Sequence, residues 1–189
     1  EPDASSGSYF WGVNCIHEGV EVATWPLTGW QVDAQFPRFL SQPREVSRQT
    51  DLGDSIMTAI VLAPLADRPT SFTDLGRLRV QECERVQSLR TELEKCGAKI
   101  SEEGDTLHIE PSPDLHGAEI ETYQDHRMAM CFALLGLKVP GMRLCNPSCV
   151  KKTFPSFFQK IAAAPPNGLG AEIRDAAGNA LTADDLFAS

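Results

Sequence analysis

Two stretches of this chain are apolar on nearly every side of a helix. Ile56-Met57-Thr58-Ala59-Ile60-Val61-Leu62 follows Asp54, and Met128-Ala129-Met130-Cys131-Phe132-Ala133-Leu134-Leu135 follows Asp125-His126-Arg127. An amphipathic helix can rest on the outside of a domain, but one that is apolar all round has to be enclosed by other elements. Two such helices in one short chain demand layers on several sides. The chain has 189 residues, 42% of them hydrophobic, which is enough for one enclosed core without disulfides or metals.

The same pattern recurs. Asp3-Ala-Ser-Ser-Gly-Ser-Tyr-Phe-Trp also starts with Asp and runs into small and apolar residues. Each of the three segments is followed by a second helix signal. The first and third of these are near copies, Phe36-Pro37-Arg38-Phe39-Leu40 and Phe154-Pro155-Ser156-Phe157-Phe158, with Pro expected at the first helical position. The middle one is an amphipathic helix predicted from Val80 to Cys96, stopped by Gly97. Strands are predicted at Val20-Glu21-Val22, Thr70–Thr73 and Met142-Arg143-Leu144. A hairpin is expected from Lys99-Ile100 through Gly104-Asp105 to Thr106–Ile109. These elements imply an α/β domain of three pseudo-symmetric units, about 1–50, 51–118 and 119–175. The tail, 176–189, is expected to be loose at its end, with one more hairpin after Ala164-Pro165-Pro166.

Charge removes some functions. A net charge of −9 disfavours nucleic acid and anionic membrane surfaces as partners. No apolar run approaches a membrane span and no leader pattern is present, so a soluble chain is expected. All four methionines are internal and the chain opens Glu1-Pro2-Asp3, as expected of a processed start or a piece of something longer. The six cysteines form no CxxC pair and are expected to be reduced thiols. Cys145 and Cys149 lack the spacing of a zinc module, and no metal is expected.

Where charge meets apolar helix, chemistry becomes possible. Arg127 cannot lose its charge, and beside a core it needs an anion. That anion is either an internal carboxylate, with Asp125 merely capping its helix, or a bound carboxylate or phosphate. Arg79, Glu82 and Arg85 would share one helical face, as a solvated ion-pair ladder or as part of a site. Lys151 and Lys152 are either solvated or turned to the same place. If the pseudo-symmetric units bring Arg85, Arg127 and Lys152 to one surface, they form an anion site in an acidic chain. Asp54 and Glu82 would stand beside it, suited to proton transfer next to a phosphorylated substrate.

At these residues the sequence resembles the 5-enolpyruvylshikimate-3-phosphate (EPSP) synthases. The resemblance rests on Asp125-His-Arg-Met-Ala-Met-Cys-Phe132, Lys152-Thr-Phe-Pro155, Asp3-Ala-Ser-Ser6 with Ser8-Tyr-Phe10, Asp54 with Met57-Thr58, and Arg79-Val80 with Glu82 and Arg85. It implies the inverse α/β barrel of enolpyruvyl transferases, in which a domain is three βαβαββ units and two such domains enclose the active site. The implied reaction joins the enolpyruvyl group of phosphoenolpyruvate to the 5-hydroxyl of shikimate 3-phosphate and releases phosphate, with no cofactor. Carried over by motif, Asp54 is the base at the 5-hydroxyl and touches shikimate 3-phosphate. Glu82 handles the proton at the methylene carbon, and Arg85, Arg127 and Lys152 hold phosphoenolpyruvate. Arg77 and Gln81 stand where the family has an Asn and a Lys that touch shikimate 3-phosphate.

The resemblance spans one domain, beginning near the hinge. The implied partner is an N-terminal domain, in cis or in trans, and the chain alone is expected to be inactive. The alternatives are a non-catalytic anion-binding or regulatory module of the same fold, or half of a split enzyme. A cytoplasmic bacterial enzyme is expected, or a plastid one if the source is a plant.

Overall fold

The computed structural model describes residues 1–17, 19–41 and 43–189. Three buried helices pack against one another at its centre: α1 (Ala4–Gly12), α2 (Ile56–Leu62) and α4 (His126–Gly136), with α3 (Arg85–Lys95) against α2. The Asp-led pattern explains two of the three starts. Asp3 accepts the amide of Ser5 at 3.0 Å, and Asp125 accepts that of Arg127 at 2.8 Å, so each caps its helix. Asp54 caps nothing with its side chain. Ser55 holds the cap position of α2, and its amide instead donates to Asp33 Oδ1 at 2.6 Å.

The three helices touch through small residues. Ser8 and Thr58 hydroxyls lie 3.1 Å apart, and Thr58 Oγ1 is 3.8 Å from Cys131 Sγ. Gly12, at the end of α1, lets the backbones approach: a Cβ there would lie 2.8 Å from Leu62 Cδ1 and 3.0 Å from Thr58 Cγ2. Gly12→Ala gains up to about 1 kcal/mol of helix propensity. Overpacking at this contact costs about 1–3 kcal/mol. The expected result is a lower thermal midpoint, and an unchanged or raised one would show that the contact yields freely.

Two sheets flank the helices. The larger contains β1 (Glu45–Ser47), β2 (Thr70–Thr73), β3 (Lys99–Glu103) and β4 (Thr106–Glu110) in the order β1-β2-β4-β3. β1 and β2 are parallel, with Val46 opposite Phe72, and β4 is antiparallel to both its neighbours, with Phe72 opposite Leu107. Alternation along β2 and β4 sends Phe72, Leu107 and Ile109 into the core. The smaller sheet pairs β5 (Glu119–Ile120) in parallel with β6 (Arg143–Leu144). The run β1-α2-β2-α3-β3-β4 is therefore a complete βαβαββ unit. The run β5-α4-β6-α5, with α5 at Phe157–Ala162, repeats its first four elements. One antiparallel bridge, Arg174 to Ala180, stands where that repeat's hairpin would follow. This is the mixed α/β fold expected.

Several local expectations are corrected. Val20-Glu21-Val22 is not a strand, and among the described residues before 45 the regular structure is helical, in α1 and two 3-10 segments. One of those, Val32–Ser41, carries Pro37 in its interior rather than at a helix start. The third-unit copy also starts late: α5 begins at Phe157, after Pro155. The predicted Val80–Cys96 helix begins only at Arg85. Val80 ends a separate 3-10 segment, Leu75–Val80, and is 81% exposed, so its apolar side chain never joined the helical stripe. The tail is not loose: Leu186 and Ala188 are buried, and the Ala188 amide donates to the Pro155 carbonyl at 3.0 Å. Among the described residues no helix is long and apolar enough to cross a membrane.

Candidate active site

The helix starts converge on Asp125, which is fully buried. Its Oδ2 accepts Arg85 Nε at 2.6 Å, and Oδ1 lies 3.3 Å from Arg85 Nη2 while also capping α4. Arg85, the first residue of α3, is itself fully buried. Its remaining donors reach Glu82 Oε2 at 2.6 Å and Gln81 Oε1 at 2.7 Å, with Asp54 Oδ2 at 3.9 Å. A guanidinium out of water has to be compensated on all its edges, and here it is.

Asp54 lies across from this pair. Arg48 Nη2 donates to its Oδ1 at 2.7 Å, and Arg127 Nη2 lies 3.4 Å from its Oδ2. Arg127 Nη1 also donates to Ser5 Oγ, tying the start of α1 to that of α4. Burial alone would push the Asp54 carboxyl up, but the charges of Arg127, Arg48 and Arg85 and the Arg48 hydrogen bond hold it below the usual range. Glu82 is shared between Arg85 and Lys152, whose Nζ is 2.5 Å from Oε1. Partial burial raises its carboxyl, yet the Lys152 hydrogen bond, its own backbone amide and the two cations outweigh this and bring it down to about 2. His126, buried at the start of α4, is pushed down by burial against the opposing pull of Asp125, so it is neutral at pH 7.

These shifts have a sign that can be checked. Glu82 ordinarily titrates near 4.5 and here near 2, so the stability it contributes is complete above pH 4.5 and is lost as pH falls toward 2. Asp54, held below 3.8, acts in the same direction. Urea midpoints measured across that window should fall steadily, and Glu82→Gln should flatten the fall. An identical slope in the variant would show that Glu82 is not held by its cations in solution.

Five residues expected at the site, Asp54, Glu82, Arg85, Arg127 and Lys152, stand in one ion-pair network, with Gln81 bonded into it. Arg77 is exposed and enters none of these pairs. The expected Arg79–Glu82–Arg85 face does not exist, because residues 81–84 are not helical. Arg79 turns instead to Glu84, Glu102 and Asp105, at 2.6, 2.7 and 2.8 Å. Sequence reasoning missed Arg48. Its amide donates to the Thr73 carbonyl at 3.0 Å, which sets it just beyond the parallel ends of β1 and β2 and turns its side chain to Asp54. No periodicity or motif marks it. Four cations thus face three carboxylates where the amino ends of α1, α2, α3 and α4 meet, an arrangement able to hold an anion and pass protons beside it.

The family model of EPSP synthase (3-phosphoshikimate 1-carboxyvinyltransferase) matches residues 42–161, well over half of the chain. The chain belongs to the EPSP synthase family. A 3-phosphoshikimate 1-carboxyvinyltransferase of Rhizobium etli is 36% identical over 176 residues, covering 86% of this chain and 41% of the relative. One from Nostoc punctiforme is 35% identical over 182 residues, covering 85% and 42%. The chain thus spans about two fifths of the length of the curated relatives it matches. Among solved structures, EPSP synthase from Acinetobacter baumannii superposes on 56% of the chain and 26% of its own, with a TM-score of 0.53 and 31% identity. The match covers the network from Arg48 to Lys152 but leaves Ser5 outside it.

Proposed function

We propose that this chain is the phosphoenolpyruvate-holding half of an EPSP synthase and works in the bacterial cytoplasm with a second domain supplied in cis or in trans. The observation that carries the reading is the single network in which Asp54 and Glu82 lie among Arg48, Arg85, Arg127 and Lys152. In this reading Arg127 and Lys152, the partly exposed cations, take the phosphate and carboxylate of phosphoenolpyruvate, and Arg85 backs them from inside. Asp54 accepts the proton of the 5-hydroxyl of shikimate 3-phosphate as its oxygen bonds to the central carbon of phosphoenolpyruvate. Glu82 serves the methylene carbon, which gains a proton in the addition and loses one when phosphate departs. Gln81 and the exposed Arg77 border the acceptor. The scheme calls for no metal or organic cofactor.

The catalytic contribution of this arrangement is positioning and charge compensation, both of which need the second substrate held opposite. The test is phosphate release from phosphoenolpyruvate and shikimate 3-phosphate, by the chain alone and after addition of an N-terminal EPSP synthase domain. Release only on mixing is expected. Turnover by the chain alone would overturn the half-enzyme reading. Absence of turnover in both, with anion binding and association of the two domains retained, would favour the competing reading of a non-catalytic anion-binding module. That alternative draws on Arg85, which is fully buried and has four of its five N–H donors on protein groups.

A further inference from the structure

A buried carboxylate that the proposed chemistry does not use lies two turns along α3 from Arg85. Glu92, on the inward face of α3, is fully buried. Its Oε1 accepts the Tyr123 hydroxyl at 2.7 Å, its Oε2 accepts the Glu121 amide at 3.1 Å, and Lys95 Nζ bonds both oxygens. Both groups it holds belong to the segment that leads into Asp125. That segment is strained: Tyr123 and Gln124 have φ of 52° and 55°, two consecutive residues with Cβ atoms in the left-handed region. Such a conformation persists only where the surroundings impose it, and it concentrates at functional sites. After the turn, the Asp125 amide donates to the Thr122 carbonyl at 2.8 Å, and the Asp125 carboxylate meets Arg85.

We propose that Glu92 and Tyr123 are positioning residues of the anion site: their hydrogen bond holds the left-handed turn that aims Asp125 at Arg85. α3 then contributes twice, with Arg85 at its amino end and, two turns later, the carboxylate that fixes the partner of Arg85. The inference rests on the reading of this network as the active site for its functional meaning, but the geometry it claims can be read without substrate.

The experiment uses the 189-residue chain and follows exchange of the Arg85 Nε–H with solvent by NMR. Three variants are compared: Tyr123→Phe, Glu92→Gln, and Ile109→Val in β4 as a core control. The first two should speed exchange about fivefold, the equivalent of one ordinary hydrogen bond lost between the turn and α3. Ile109→Val should leave it unchanged at a comparable shift in melting temperature. Unchanged exchange in both Tyr123→Phe and Glu92→Gln would overturn the proposal, as would equal acceleration in all three. Because no substrate is present, either result is independent of whether the chain takes part in enolpyruvyl transfer.

Discussion

Arg85→Met should cost the folded chain about 3–5 kcal/mol, the largest single-residue effect expected outside the apolar core. Methionine fills much of the same space, so the cost is not mainly a cavity. It arises because Asp125, fully buried, would lose the one guanidinium that bonds its Oδ2. The neighbouring carboxylates are less affected: Glu82 keeps Lys152, and Asp54 keeps Arg48 and Arg127. Denaturant midpoints at pH 7 measure the effect, and for a domain of ordinary stability it removes a large part of the total. Adding Asp125→Asn to Arg85→Met should recover part of the loss, since an uncharged amide is cheaper to bury than an unpaired carboxylate. A loss below about 1 kcal/mol in the single variant would show that the buried Arg85–Asp125 pair contributes little to holding this part of the fold. Arg127→Met should be milder for stability, because Arg127 is 17% exposed and Asp54 keeps Arg48.

Which parts of this could be read from sequence follows from the range of the interactions involved. The buried helices α2 and α4 were legible because an apolar surface on all sides admits one environment, and Asp125 as a cap because capping is local. The hairpin of β3 and β4 was legible for the same reason, with alternation flanking a Gly104-Asp105 turn. Val80 shows the limit. Its spacing fits the stripe of α3, yet Arg79 is drawn out of the helix by Glu102 and Asp105, residues from the hairpin more than twenty positions away. Arg48 was invisible for a related reason: only the parallel pairing of β1 with β2 turns it toward Asp54. The convergence of Arg85, Arg127 and Lys152 was anticipated through the repeat and the family motifs. Composition alone left the partner of Arg127 open between an internal carboxylate and a bound anion. In this structure it is Asp54, with Ser5.

Asp54→Asn should lower turnover of the reconstituted two-part enzyme by about 10²–10⁴-fold, the range for loss of a positioned general base. The asparagine keeps an oxygen for Arg48, so folding is expected to survive and the loss to fall on kcat. The difficulty for Asp54 as a base is its own surroundings, since three guanidiniums hold its carboxyl below 3.8. A base so weakened accepts a proton poorly while its cations are undivided. Anionic substrate changes that balance: phosphate and carboxylate oxygens compete for Arg127, and each contact transferred to the ligand returns basicity to Asp54. The acid limb of kcat, which reports the complex, should therefore lie at higher pH than that of kcat/KM, which reports the free enzyme. Arg48→Gln isolates the point, because Arg48 stands on the far oxygen, away from Arg127. Removing it should move both limbs upward, because one fewer guanidinium then favours the ionised carboxylate. Limbs that stay in place would assign the titrating base to another residue, and Glu82, near 2 until Lys152 is drawn away, would then be the group to follow.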